Sequence, residues 1–483
     1  MHSKTNHPRL WWIVILLCLA PPVGAAAQQP AELIIRNGVI VTSDGRSEGD
    51  IRVRDGVIVE IAQNLAGSDG AREIDASGLL VLPGGVDPHV HIDRADDFTS
   101  GSAAALAGGI TTISSLAFPQ SEESLAEAVE RQAELVRAQA IADVMLHPGI
   151  NNPDVQQAQI ASLPGLGQTS IKIFMSRSEF DEKSRAYLAT MAAAAEAGVL
   201  TMIHCEDAAI VAHAQERLTD EGHGSLQYFS DSRPVLAEVT ATHRAVAMAE
   251  ATGAPIYLVH LSAERALRVA EEAKARGLPV YVEALGIYLH LTRDKLEGPN
   301  RGMYIHHPPL REKNDQDALW EGIAAGTVHV LGTDHVPYTK EQKLNPSQTV
   351  TDHRPGIPNL QEIRPMLYSE GVRTGRITVE QFVAVTATNP AKLFGLYPRK
   401  GTIAVGSDAD LVVWDPNETR TIRDEDMLSN TGFSIHAGQE VTGWPRITIR
   451  RGEIVYENGR ITGEPGSGEL LRRKRWQVPN LES

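Results

Sequence analysis

The hydrophobic and polar positions of this chain change period several times along its length, and those changes lay out its elements. Near the start, Leu33-Ile34-Ile35-Arg36-Asn37-Gly38-Val39-Ile40-Val41 sets apolar residues on both sides of an Asn-Gly pair, the pattern of a hairpin with a tight turn. Ile51-Arg52-Val53-Arg54-Asp55-Gly56-Val57-Ile58-Val59 alternates in the same way around Asp-Gly. The pattern returns near the other end, at Ile447-Thr448-Ile449-Arg450-Arg451-Gly452-Glu453-Ile454-Val455, after the strand-like Asp410-Leu411-Val412-Val413-Trp414. Short strands at both ends predict one β domain built from the two termini, with the middle of the chain inserted between them.

That middle alternates. Strand-like runs occupy residues 80–86, 110–114, 143–147, 170–175, 200–205, 255–261, 280–284 and 328–333, with helical periodicity between most of them. Leu125, Val129, Ala133, Val136 and Ala140 form one apolar stripe, with Ser121 as the expected N-cap and Glu122 and Glu123 in the first turn. Helices at 185–197 and 264–276 are expected to stop at Gly198 and Gly277. Eight strands with intervening helices predict an α/β protein, a (β/α)8 TIM barrel with a small β-sandwich domain formed by both termini. A doubly wound open sheet would alternate likewise, but no Gly-x-Gly-x-x-Gly follows a strand to favour dinucleotide binding. The expected division is a signal peptide at 1–27, sandwich at 28–80, barrel at 81–390, and the rest of the sandwich with a tail at 391–483.

Composition adds limits. The 483 residues are 42% hydrophobic and 22% charged, an ordinary globular balance, and the net charge of −16 disfavours nucleic acid and anionic membranes as partners. Lys4 and Arg9 precede an apolar run at 11–20, and Ala25-Ala26-Ala27 offers a small-residue cleavage site. This is the layout of a secretory signal, so the mature protein is expected to be secreted or periplasmic, with no membrane association after removal. The apolar run is too short for a permanent anchor. Cys18 follows Leu16-Leu17 and not the small residue a lipoprotein site usually has. Cys205 alone would then remain, which excludes an internal disulfide.

The strand ends carry the chemistry. The first reaches His89-Val90-His91, the fourth holds Lys172 inside Ile171-Lys172-Ile173-Phe174-Met175, and the fifth ends His204-Cys205-Glu206. The sixth ends at His260 and the eighth at Thr333-Asp334-His335. Alternate residues of a strand face one side, so His89 and His91 can converge. In a barrel every strand C-terminus opens on one mouth. Singly, His204 or His260 reads as a hydrogen-bonded strand-end histidine, Asp334 as a loop cap, and Lys172 as a snorkelling lysine. Five strand ends with ligand-type residues together favour a metal site, and His and carboxylate ligands suit zinc, manganese or a similar divalent ion.

These motifs resemble the amidohydrolase superfamily, in particular its cyclic amidase branch of dihydropyrimidinases, hydantoinases, allantoinases and dihydroorotases. The resemblance rests on Pro83-Gly84-Gly85-Val86-Asp87-Pro88-His89-Val90-His91, Asp96-Asp97-Phe98, Lys172-Ile173-Phe174-Met175, His204-Cys205-Glu206, Val259-His260-Leu261-Ser262 and Gly332-Thr333-Asp334-His335. Asn389-Pro390-Ala391-Lys392 and Gly406-Ser407-Asp408-Ala409-Asp410-Leu411 mark the return into the β domain. The resemblance implies two divalent ions, with zinc the expected metal. His89, His91 and Asp334 would hold one, His204 and His260 the other, and Lys172 as N6-carboxylysine would bridge them. It further implies a hydroxide shared by the two ions as nucleophile, Asp334 as catalytic general base then acid, and a small-molecule cyclic amide or imide as substrate. A homotetramer is implied by analogy.

Three positions depart from the branch. Hydantoinases and dihydropyrimidinases usually place a tyrosine five residues after the bridging lysine, where this chain has Arg177. Arg177 would stabilise an oxyanion, bind a substrate carboxylate, or point into solvent. Dihydroorotases place an arginine two residues after the second histidine, where this chain has Asp93, which disfavours that activity. His307 stands where dihydropyrimidinases carry a serine before Pro308-Pro309-Leu310-Arg311. Gly356-Ile357-Pro358-Asn359-Leu360-Gln361 is nearer the allantoinase form of that loop, with Asn359 as a candidate amide-pairing contact. Allantoinase and dihydroorotase-like activity are thus the alternatives within the branch. Outside it stand a single-metal deaminase and a non-catalytic dihydropyrimidinase-related interaction protein, the latter disfavoured by retention of the whole ligand set.

Overall fold

The structure, a computed structural model, describes residues 1–2 and 32–481. The apolar run and cleavage site of the expected export signal lie outside the described residues. No helix among the described residues is long and apolar enough to cross a membrane.

Two ends of the chain share one nine-stranded sheet. Its centre is strand Leu80–Pro83, which lies parallel to Glu32–Thr42 on one side and antiparallel to Leu411–Thr421 on the other. Ile35, Ile51, Val53 and Ile58 from the N-terminal strands meet Leu411, Val413, Ile449 and Ile454 in one apolar cluster, so the sheet curls over itself as a sandwich. The Asp55-Gly56 and Arg451-Gly452 turns form as the alternation predicts, both with positive φ. Asn37-Gly38 does not turn the chain. Glu32–Thr42 runs on as one strand, and the pair is a bulge where the register slips between Ile35 and Gly38. Asn37 takes φ 59°, and its N–H is drawn to Asp50 Oδ1 at 2.9 Å in place of a ladder partner.

The run 80–86, expected as one strand, is two. Gly84 ends the sandwich strand, and Gly85–Asp87 opens the barrel. A side chain at Gly84 would collide with Thr111, which is why the chain can cross between domains only through glycine here. The barrel then follows the predicted alternation. Gly85–Asp87, Ile110–Ala117 and Asp143–Pro148 form one parallel sheet. Ser170–Phe174, Leu200–His204, Ile256–Leu258, Val280–Leu285 and Val330–Gly332 form the other. Bridges Gly149–Lys172 and Val90–His335 close the two sheets into a ring. The helix on residues 125–139 starts three residues later than expected. Ser124, not Ser121, is its N-cap, because Ser124 has Glu127 in the reciprocal position of a capping box.

Pairing register decides what faces inward. Lys172, Met202, Tyr257 and Tyr281 lie opposite one another across four parallel strands, so they share one level. Two residues on, His204 and Glu283 rise to the next level. Below them, Val86, Met145, Met202, Tyr257 and Val330 pack with Phe394, Leu396 and Leu471 from the returning segment and the tail. The interior is filled and closed at the N-terminal end. Only the C-terminal mouth is left for chemistry.

Candidate functional site

At that mouth the residues singled out along the chain converge. Ligand atoms of His89, His91 and Asp334 lie within 4.8 Å of one another. Asp334 Oδ1 is 3.1 Å from His91 Nε2 and 3.4 Å from His89 Nε2. Lys172 Nζ stands 3.1 Å from His89 Nε2. The His204 and His260 rings meet edge-on at 4.4 Å, and the His260 ring stacks 5.5 Å from His89.

The donor set fits a divalent metal. His260 Nδ1 is buried with no hydrogen-bond partner among the described residues, and Asp334 Oδ1, also buried, has only the two histidine Nε2 atoms beside it, an arrangement that costs free energy without a ligand. His260 and Asp334 both hold positive φ, at 42° and 41°, strain of the kind that functional sites retain. Burial disfavours the charged form of His204 and His260, which leaves imidazole lone pairs for coordination. Burial also opposes ionisation of Asp334, but His89, His91 and His306 outweigh it and hold the carboxyl well below its usual range. Lys172 is wholly buried, and burial lowers its pKa to about 8 against the opposing pull of Asp334 and Glu283.

A second ring of groups aims these side chains. Glu283, within the apolar strand Val280–Leu285, accepts from His89 Nδ1 at 2.8 Å, from Tyr257 OH at 2.8 Å and from His260 N at 3.0 Å. Its bond to Nδ1 leaves His89 Nε2 facing the centre. Gly332 is required beside it, since a Cβ there would sit 2.8 Å from Glu283 Oε2. Glu206 accepts His204 Nε2 at 2.8 Å and is itself clamped by both arms of Arg233, so His204 presents Nδ1. Asp96 binds His335 Nε2 at 2.9 Å, while His335 Nδ1 accepts from Asn359 N at 3.2 Å, which locks the residue after Asp334. Glu283 and His306 belong to none of the strand-end motifs legible in the sequence. A lone acid in Val-Tyr-Val-Glu-Ala-Leu was the signal available for Glu283. Glu283→Gln should weaken divalent-metal affinity by roughly 10–100-fold with the fold intact, measured by competition with a chelator.

The remaining candidates range from buried Asn359 through half-buried His307 to exposed Arg177. His307 stacks on Phe229 and pairs with His353 at 2.7 Å, whereas its neighbour His306 is the one that reaches Asp334 Oδ2, at 3.4 Å. Asn359 spends its side-chain N–H groups on the carbonyls of Thr333 and Ile357, each at 3.1 Å, and keeps a buried, unpartnered Oδ1. Arg177 is exposed and lies over two phenylalanine rings. A second acidic group, Asp143, Asp408 and Asp410, is close enough to hold a cation, but the Lys400 ammonium already sits among its carboxylates at 2.6–3.0 Å. That cluster is an ion-pair network.

Residues 80–455 match the model of the amidohydrolase family. The chain belongs to that family. It is similar to the D-hydantoinase of Ralstonia pickettii, at 36% identity over 92% of this chain and the whole of that protein. The D-hydantoinase of Geobacillus stearothermophilus is 37% identical over 92% of this chain and 97% of its own length. Among solved structures, the dihydropyrimidinase from Brevibacillus agri superposes with a TM-score of 0.89 at 34% identity, covering 93% of this chain and all of that one. As an amidohydrolase, the chain has its barrel and sandwich in a fold that superposes on such structures over nearly its whole length, and its histidine and aspartate cluster sits at the barrel mouth.

Proposed function

We propose that this amidohydrolase opens the ring of a neutral cyclic amide or imide, of hydantoin or dihydropyrimidine type, by hydrolysis. The observation that carries the reading is the convergence of His89, His91, Lys172, His204, His260 and Asp334 on one mouth, with His260 Nδ1 buried and unpartnered among the described residues. Similarity to hydantoinases and dihydropyrimidinases over nearly the whole chain supports the substrate class.

His89, His91 and Asp334 would hold one divalent ion and His204 and His260 a second, with Lys172 as N6-carboxylysine shared between them. When bound, such ions, with zinc the expected metal, supply Lewis-acid activation of water and of the ring carbonyl. A buried amine with its pKa brought down to about 8 is neutral often enough to take up carbon dioxide, which supports the carboxylated form of Lys172. Asp334 is the proton carrier. Its Oδ1 faces the centre while His306 stands behind Oδ2, so the carboxylate can take the proton of the attacking water and pass it to the departing ring nitrogen. Water adds to the carbonyl carbon, the ring C–N bond breaks, and an open-chain carbamoyl product leaves. Arg177, His307 and Asn359 are the proposed contacts to the rest of the ring and its substituents. Export by the N-terminal signal would direct the activity at cyclic amides outside the cytoplasm, and assembly as a homotetramer is proposed by analogy.

Metal-replete protein should be assayed with hydantoin, dihydrouracil, allantoin, dihydroorotate and cyclic imides. Ring opening of hydantoin or dihydrouracil is expected, with dihydroorotate poor because Asp93 stands where a carboxylate-binding arginine would be. Protein with two metals per chain that opens none of these rings would overturn the proposal.

A further inference from the structure

One wall of the mouth is aromatic and carries a cation. Phe118 follows the second barrel strand and lies over Gly149, where a Cβ would collide with its ring. Phe174 ends the fourth strand, its ring 5.9 Å from Phe118 and 5.6 Å from the His204 ring, with Lys172 Nζ 5.2 Å from its centroid. Both rings are half-buried. Arg177 spans them, with Cζ 4.7 Å from the Phe174 centroid and 5.5 Å from that of Phe118. The aromatic pair therefore links the buried ligands to an exposed guanidinium at the rim.

That guanidinium has no carboxylate within ion-pair distance among the described residues. Glu179 and Glu182 follow it in the chain without forming an ion pair with it, and three other nearby acids are engaged elsewhere. Asp154 pairs with Lys183 at 3.2 Å, Asp181 with Arg244, and Glu123 with Arg131 at 2.8 Å. Elsewhere at the mouth Asp93 is neutralised by Arg94. A guanidinium stacked on aromatic faces is held in orientation with its N–H fork still free, so little further ordering is needed when a planar anion arrives. The fork matches a carboxylate bidentately. Its depth decides which part of a substrate it meets. Lys172 and His260 are wholly buried and Arg177 is exposed, so a ring seated on the ligands would present its substituent, and not the carbonyl under attack, to the arginine.

We infer that Arg177, held on Phe118 and Phe174, selects substrates whose cyclic amide ring carries an acidic side arm. The inference rests on the cyclic-amide reading given above. The ring is neutral, and the carboxylate is on the arm.

The test compares hydantoin-5-acetate and hydantoin-5-propionate with their neutral side-chain amides, using metal-loaded wild type, Arg177→Gln and Arg177→Lys. Wild type should prefer each acid over its amide by at least about tenfold in kcat/KM, mostly through KM, the scale of one charge-assisted contact. The preference should collapse in Arg177→Gln and partly return in Arg177→Lys, which keeps the charge and loses the fork. Thermal midpoints of the three proteins control for folding. Wild type that opens hydantoin but shows no preference for the acids overturns this inference and leaves the cyclic-amide reading standing. An equal loss of kcat on acid and amide in Arg177→Gln also overturns it, since that is the signature of an oxyanion contact. Failure to open any of the rings removes both.

Discussion

Lys172→Ala should lower kcat/KM for cyclic amides by at least about a thousandfold, the scale expected when a group that acts together with the rest of a catalytic set is removed. It should also reduce the metal content of the purified protein below two ions per chain. The lysine is wholly buried at a level of the barrel where the facing positions are Met202, Tyr257 and Tyr281, so nothing of similar reach can replace it. Its amine has His89 Nε2 at 3.1 Å and, among the described residues, no carboxylate hydrogen bond. As a plain ammonium it would repel the cations the histidines are placed to hold, whereas as a carbamate it would complete their ligand set. Activity and metal content are therefore expected to fall together. Full activity in Lys172→Ala would rule out the bridging role, and a full metal complement with no activity would move the lysine from ligand to another function.

The second large effect is on stability. Lys400→Met should destabilise the protein by about 3–5 kcal/mol, the usual cost of leaving buried charges without their partner, read as a fall in the urea midpoint. Lys400 lies in the segment that returns from barrel to sandwich and is wholly buried. Its ammonium reaches Asp143 at 2.6 Å, Asp410 at 2.8 Å and Asp408 at 3.0 Å. Asp143 begins the third barrel strand, and Asp410 also accepts from Thr111 on the second and from Arg451 N in the sandwich turn. One side chain thus joins two domains. Burial works against the charge on Lys400, but the three carboxylates raise its pKa above the usual lysine value. Burial likewise opposes ionisation of Asp143, and Lys400, Arg451 and Arg450 reverse this and lower it. With the lysine raised and the aspartate lowered, the contribution is present across the neutral range. It is lost only as acid protonates Asp143 below the ordinary carboxylate pKa, or as alkali exceeds that of lysine. Asp143→Asn added to Lys400→Met should recover part of the loss, because it removes one of the stranded charges. A shift under about 1 kcal/mol in Lys400→Met would place the cluster among weak surface-like pairs.

How much of this was legible in the chain depended on the range of the interactions. Local patterns were enough where one residue constrains its own neighbourhood. The alternation of strands and helices, the glycine stops at Gly198 and the Asp55-Gly56 turn follow from backbone preference and periodicity, and the structure has them where expected. The ligand-type residues stood out because charged and imidazole groups rarely end apolar strands without a use. Where two signals of equal local merit competed, a partner elsewhere decided. Ser121 and Ser124 are both plausible caps, and Glu127 selects the second. Asn37-Gly38 has the composition of a turn, but the ladder with residues 45–54 continues past it, so the pair becomes a bulge.

The sequence by itself determined which groups would be available at the barrel mouth, since strand polarity and the two-residue repeat of side chains put His89, His91, Lys172, His204, His260 and Asp334 at strand ends. Only the tertiary structure decided how they are aimed. Glu283 binds His89 from 194 residues away and Glu206 is clamped by Arg233. Arg177 is held up by Phe118, just past the second barrel strand, and Phe174, at the end of the fourth. No periodicity along a chain encodes a contact between residues so far apart, because the register of a closed barrel is set by all its strands at once.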